Sequence, residues 1–144
     1  MTPTTRNKIY DKMQQLDEYL KYLRKLNKEV GSEKQFLTNF YYFGTTERYL
    51  QLSIQVVIDT VQLVIVDNNL SRPEDNQDAV SLLFEQKIIS KKLVKQLDGI
   101  VGFRNILVHE YGKIDRKKVY KYLREKIDDL SLFKSQILKY LKNV

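Results

Sequence analysis

The only histidine of this 144-residue chain, His109, sits in the stretch Phe103-Arg104-Asn105-Ile106-Leu107-Val108-His109-Glu110-Tyr111-Gly112. Arg104 stands five residues before it and Tyr111 two residues after it. Arginine offers a permanent, forked cation matched to phosphate oxygens, and histidine takes or gives a proton near neutral pH. Together they suit phosphodiester cleavage. RNA carries its own nucleophile, the 2′-hydroxyl, so a base beside it and a cation on the non-bridging oxygens suffice for a metal-free transesterification. On an ideal helix, Leu97, Ile100, Val101, Val108 and Tyr111 lie within about 60° of Arg104, which places the arginine on the apolar face. His109 lies about 140° from Arg104 but only about 40° from Asn105, so Asn105 and His109 share a patch and Arg104 reaches round or serves across an interface. Acid and base are usually different groups, so one histidine per chain points to a symmetric dimer that supplies a second copy.

A structural account of the same residues stands beside this one. In it His109 caps a helix C-terminus, Arg104 is a buried partner of Glu47 or Asp59, and Tyr111 is one of ten tyrosines packing its ring. Other chemistries fit less well. With one histidine, no cysteine and no spaced carboxylate cluster beside it, no metal site is expected. No glycine-rich phosphate loop and no Ser-His-Asp signature is present.

The net charge is +7, with a pI near 9.4. Lys87, Lys91, Lys92 and Lys95 precede the histidine segment, and Lys113, Arg116, Lys117, Lys118, Lys121 and Arg124 follow it. Basic flanks favour polyanions through counterion release, although lysine-rich helices also serve as solvated faces.

The elements that must carry these groups read as helices. Five glycines and two prolines are few for an all-β chain. Ile9, Met13, Leu16, Leu20, Leu23 and Val30 keep near-heptad spacing, with Gly31 as a stop. Ser32-Glu33-Lys34-Gln35 has the form of a capping box, opening a second helix, bent at Gly44, that runs to about Val66. Gln51, Gln55, Asp59 and Gln62 form a polar stripe along it, facing solvent or a polar cleft; Glu47 and Arg48 at its start read as a salt-bridge pair or as supports of a site. Asp67 to Asp75 reads as a loop. A short helix follows over residues 76–86, with Leu82, Leu83 and Phe84 inward. Ser90 caps a helix from Lys91 to about His109, ended by Gly112, and Asp115 caps a last one carrying Val119 through Leu141. The whole predicts one domain over residues 1–144, an all-α bundle of four to five helices. The polar stripe argues against a membrane span in the apolar run Tyr49 to Val66, residues 1–10 lack a signal-peptide core, and the absence of cysteine is compatible with a cytoplasmic location.

The segment from Arg104 to Tyr111 matches the Arg-X4-His-X-Tyr motif of the HepT-like proteins in the HEPN superfamily. Glu47-Arg48-Tyr49-Leu50-Gln51 with Asp59 resembles that family's central helix, as do Val101-Gly102-Phe103 before the motif and Ile114-Asp115 with Val119-Tyr120 after it. The resemblance implies a HEPN-type helical homodimer whose two motifs line a shared cleft. It implies a metal-independent endoribonuclease, the toxin of a type VII toxin–antitoxin pair, whose partner is a minimal nucleotidyltransferase antitoxin that attaches AMP to the motif tyrosine. Carried over, Arg104 and His109 are catalytic, Tyr111 is the modified residue, and Asn105, Glu47, Arg48 and Asp59 support substrate. RNA is the implied substrate, no cofactor is required, and no membrane is involved. The alternative is a non-catalytic helical module that binds a nucleotide or the nucleotidyltransferase.

Overall fold

The computed structural model describes residues 1–107 and 114–144, with the side chains of residues 105 and 106 outside the description. Among the described residues all regular structure is helical, in eight segments. These are α1 (Pro3–Glu29), α2 (Glu33–Thr38), α3 (Phe40–Asp67), α4 (Asn76–Glu85), α5 (Lys91–Leu97), α6 (Ile100–Leu107), α7 (Arg116–Glu125) and α8 (Ile127–Lys142). They follow the five expected rods, with three of the rods broken once each.

Local chemistry accounts for each break. Asn39 ends α2 and caps α3, its Oδ1 accepting from Tyr41 N at 3.0 Å. The bend expected at Gly44 is therefore a full interruption five residues earlier, because an Asx cap competes with helix continuation. Gly99, at φ +85°, separates α5 from α6, a conformation that costs a residue with a Cβ about 1–2 kcal/mol. Lys126 separates α7 from α8; no side chain caps α8, but Asp128 and Asp129 in its first turn suit the positive end of its dipole. The three caps predicted from the sequence form, although Gln35 reaches Gly31 N rather than the Ser32 N of a capping box. Ser32 Oγ accepts from Gln35 N at 3.1 Å, while Gln35 Oε1 accepts from Gly31 N at 2.6 Å. Ser90 and Asp115 accept from Leu93 N and Lys118 N.

The central element is α3. It packs against α1, α2, α4, α6 and α7, while α8 closes the bundle against α1, α5 and α7. The apolar seam of α1, Ile9, Met13, Leu16, Leu20 and Leu23, is wholly buried. Arg24–Asp128 and Lys134–Asp17 ion pairs tie α1 to α8 on the outside. By length and composition α3 passes as a membrane span, yet it is the core helix here, with Leu50, Ile54, Val57, Val61 and Val64 buried. Leu83 is buried as expected, but Phe84 is 40% exposed: adjacent helical positions diverge by about 100°, so the three consecutive residues cannot all face inward.

Candidate functional site

Arg104 lies near the end of α6, which packs on α3 and buries Val101, Phe103 and Leu107. The half-buried Arg104 donates from Nε to Gln55 Oε1 at 2.7 Å. Gln55 donates from Nε2 to Asp59 Oδ1 at 2.7 Å, and Lys12 of α1 reaches Asp59 Oδ2 at 3.4 Å. The amide can stand only one way round, since the reverse sets its NH2 against the guanidinium donor and its carbonyl against the carboxylate. The chain Lys12–Asp59–Gln55–Arg104 thus joins three helices.

The expected direct pairing of Arg104 with Glu47 or Asp59 is replaced by this relay. A neutral amide orients the guanidinium without cancelling its charge, whereas a carboxylate in van der Waals contact would neutralise it. The carboxylate of Asp59 acts at one remove by polarising the amide. Along the polar stripe of α3, Asp59 and the exposed Gln62 line a pocket with Lys8, Asp11 and Lys12, while Gln55 turns to Arg104.

Glu47 belongs to a second anchor. Its Oε1 is 3.5 Å from Arg116 Nε, and the Arg116 guanidinium lies 4.0 Å over the Phe43 ring. That separation is long for a hydrogen bond, and the buried Oε1 has no hydrogen-bond partner among the described residues. Burial pushes the Glu47 carboxyl above its usual range, and Arg116 opposes the shift. The Glu47–Arg48 pair is not formed: consecutive helical residues point about 100° apart, and Arg48 is exposed. Arg104 precedes His109 and Tyr111 in the chain, and Arg116 follows them. Both arginines are thus fixed to α3, at positions eight residues or about 12 Å of helix apart. His109, Tyr111 and the expected stop Gly112 lie outside the described residues, as does the side chain of Asn105.

The basic flanks divide by role. Arg124 donates to the carbonyl of Asn27, to Asn27 Oδ1 and to the carbonyl of Val30, and stacks 4.9 Å from the Tyr120 ring. It satisfies carbonyls at the C-terminus of α1 and is a structural cation. Lys117, Lys118, Lys121 and Lys126 line a pocket that Asp98, Asp115 and Glu125 share. Lys87, Lys91, Lys92 and Lys95 are exposed. Among the described residues no group of three or more metal-ligating side chains is present. Sequence reasoning missed Gln55, Lys12 and Arg116 as site supports; the four-residue interval from Gln55 to Asp59 was the available signal.

Comparison with known proteins places these features in company. A family model described as ribonuclease HepT-like matches residues 16–137. A tRNA nuclease HepT of Aphanizomenon flos-aquae is 31% identical over 133 residues, covering 92% of this chain and 89% of that protein. An mRNA nuclease HepT of Shewanella oneidensis is 24% identical over 111 residues, 77% of this chain and 84% of that one. Among solved structures, the tri-AMPylated Shewanella oneidensis HEPN toxin in complex with MNT antitoxin superposes with a TM-score of 0.80 at 23% identity, covering 96% of this chain and 99% of that one. The cytosolic YutE of Bacillus subtilis gives a TM-score of 0.81 at 20% identity, covering 96% and 91%.

Proposed function

The chain belongs to the HepT-like ribonuclease family, and on that footing we propose that it is the toxin of a toxin–antitoxin pair, an endoribonuclease that acts in the cytoplasm without a metal. The observation that carries the reading is the Arg104 guanidinium, oriented through Nε by a neutral amide and paired with no carboxylate among the described residues. Its Nη1/Nη2 edge is the one that takes the non-bridging phosphate oxygens. His109 removes the proton of the 2′-hydroxyl. The 2′-oxygen then attacks phosphorus, Arg104 stabilises the pentavalent charge, and the 5′-oxygen leaves as its bond to phosphorus breaks and it gains a proton. The products are a 2′,3′-cyclic phosphate and a 5′-hydroxyl. A homodimer brings a second His109 to donate that last proton, and Asn105 holds substrate beside it.

Tyr111 is the point of control. A nucleotidyltransferase antitoxin catalyses attack of the Tyr111 oxygen on the α-phosphorus of ATP, with pyrophosphate leaving. The AMP so attached sets an anionic phosphate and a base two residues from His109, where it competes with RNA for Arg104. The AMPylated state of the Shewanella oneidensis toxin supports this assignment.

The deciding experiment is RNA cleavage by the purified full chain. His109→Ala and Arg104→Ala are expected to abolish cleavage and growth inhibition with helical content retained, and EDTA is expected to leave wild-type cleavage intact. Undiminished cleavage by the His109→Ala protein rejects the mechanism. Binding of RNA or antitoxin with neither cleavage nor AMP transfer identifies a non-catalytic binding module instead.

A further inference from the structure

At the opposite end of α3 from Val66, two aromatic rings stand in solvent. Phe40 is 63% exposed and Tyr41 69% exposed, and their centroids are 4.2 Å apart in a stacked arrangement. Neither packs into the core, so burial does not explain them. They open a groove of about 430 Å³ whose other walls are Gly44, Thr45, Arg48 and Tyr49. A Cβ on Gly44 would meet nothing within 4 Å, so the groove floor is open there. Tyr49 continues the aromatic surface to Tyr22, whose ring lies 4.9 Å away. Among the described residues, the only charged one lining the groove is the exposed Arg48.

Helical arithmetic connects the groove to the Arg104 anchor. Tyr41, Arg48 and Gln55 succeed one another at intervals of seven residues, drifting only about 20° per interval, so they share one face of α3. Arg48 stands about 10 Å and Tyr41 about 20 Å from Gln55 along the helix axis. The longer distance is about six stacked nucleotide steps of ~3.4 Å. Glu18 accepts from the Tyr22 hydroxyl at 2.7 Å at the outer edge of this surface, while the groove itself offers aromatic faces beside a cation, as a single-stranded polyanion with exposed bases requires, since every base has a π-face and every linkage a charge.

We propose that Phe40, Tyr41 and Arg48 form a stacking subsite for single-stranded RNA, which holds bases several nucleotides away from the phosphodiester at Arg104. This rests on the reading of the chain as a ribonuclease, and it deepens that reading by assigning a preference for unpaired RNA several nucleotides long. Paired bases keep their faces covered and cannot stack on the rings.

The test is fluorescence anisotropy on the full chain with labelled 2′-O-methyl oligoribonucleotides, which lack the nucleophilic hydroxyl and survive the measurement. Tyr41→Leu keeps apolar area but loses the π-face, whereas Tyr41→Phe keeps both. Tyr41→Leu in a Phe40→Leu background is expected to weaken binding of a long single-stranded probe by about tenfold or more. Tyr41→Phe is expected to bind as wild type, and a dinucleotide, too short to reach from Arg104, is expected to bind both proteins equally. Unchanged affinity of the double leucine variant for the long probe overturns the proposal. So does a change of mass in sedimentation with RNA affinity intact, which assigns the rings to a protein contact. Failure of the ribonuclease reading is separate and visible: wild-type chain that binds the long probe but never cleaves its 2′-hydroxyl counterpart keeps the subsite and loses the activity.

Discussion

Arg104 and Asp59 face one amide from opposite sides: Gln55 accepts from the Arg104 Nε and donates to the Asp59 carboxylate, each at 2.7 Å. The pair is coupled without touching. The guanidinium proposed to bind phosphate is thereby aimed by a neutral group, and Asp59, which holds that amide, is itself met by Lys12 on a third helix. Direct contact between the two would gain ion-pair energy at the expense of the field that a phosphate senses.

It follows that Gln55 is a positioning residue. Gln55→Met preserves length and bulk but leaves Nε without its acceptor. Cleavage is expected to fall by about ten- to a hundredfold in kcat, because small misplacements of a charge-stabilising group act on the transition state more than on binding. Asp59→Asn retains an acceptor for the amide and is expected to lose several-fold less. Steady-state kinetics on a single RNA checks both; a Gln55→Met effect confined to KM contradicts the positioning role.

How much of this was legible in the sequence depends on the range of the interaction. The seam of α1, the caps at Ser32, Ser90 and Asp115 and the loop after Asp67 are local signals, and they are where periodicity and cap chemistry place them. The breaks at Asn39 and Gly99 are local too, but each lies inside a continuous apolar pattern that reads as one helix. The wheel drawn from Leu97 to Arg104 crosses the break at Gly99, yet Leu97, Ile100 and Val101 are buried and Arg104 is half-buried beside them. Partners across helices carry no sequence signature at all. Nothing marks Gln55 as the acceptor for a residue 49 positions away, or distinguishes Arg124, turned inward onto Asn27 and Val30, from the lysines around it.

Glu47 makes the stability of the fold depend on pH in an unusual direction for a carboxylate. Burial raises its folded-state value above the 4.5 of a free side chain. The folded protein then holds the proton more tightly than the unfolded chain between 4.5 and the raised value, so the contribution is full below 4.5 and is lost as pH rises through that window. Glu47→Gln, always neutral, lacks this loss. Thermal unfolding of the two proteins is expected to show the variant gaining on wild type from pH 4.5 upward, and Arg116→Ala is expected to extend the window further up by removing the opposing cation. Parallel curves for wild type and Glu47→Gln across that range would refute the assignment.

Gly99 sets where α6 begins and hence where Arg104 stands. Its φ of +85° strains any residue with a Cβ, and the added Cβ would also come 3.8 Å from the Tyr122 hydroxyl, an ordinary contact. The cost of Gly99→Ala is therefore conformational, about 1–2 kcal/mol, seen as a fall of roughly 3–6 °C in Tm. If the backbone relieves the strain by closing the break, α5 and α6 fuse and Arg104 rotates away from Gln55. Cleavage is then expected to fall further than the stability loss explains at temperatures well below Tm. Calorimetry and kinetics on the same preparation separate the two effects.

The cations after the motif are expected to divide into those that hold the fold and those that meet RNA, and one pair of variants separates them. Arg124→Met leaves two backbone carbonyls and the Asn27 amide at the end of α1 without their donor, and it removes the guanidinium from the Tyr120 ring. The expected cost is about 2–3 kcal/mol in denaturant unfolding, since these are charge-assisted bonds whose acceptors stay partly buried. The salt dependence of RNA binding is expected to stay as it is, because a cation already committed to carbonyls releases no counterion. Lys121→Ala is the opposite case. The side chain is exposed at the rim of the pocket it shares with Lys117 and Lys118, and unfolding is expected to change by less than about 0.5 kcal/mol. If Lys121 meets an RNA phosphate, the slope of log affinity against log salt falls by about 0.7. A slope change from Arg124→Met with stability untouched reverses the assignment and returns Arg124 to the RNA-facing surface.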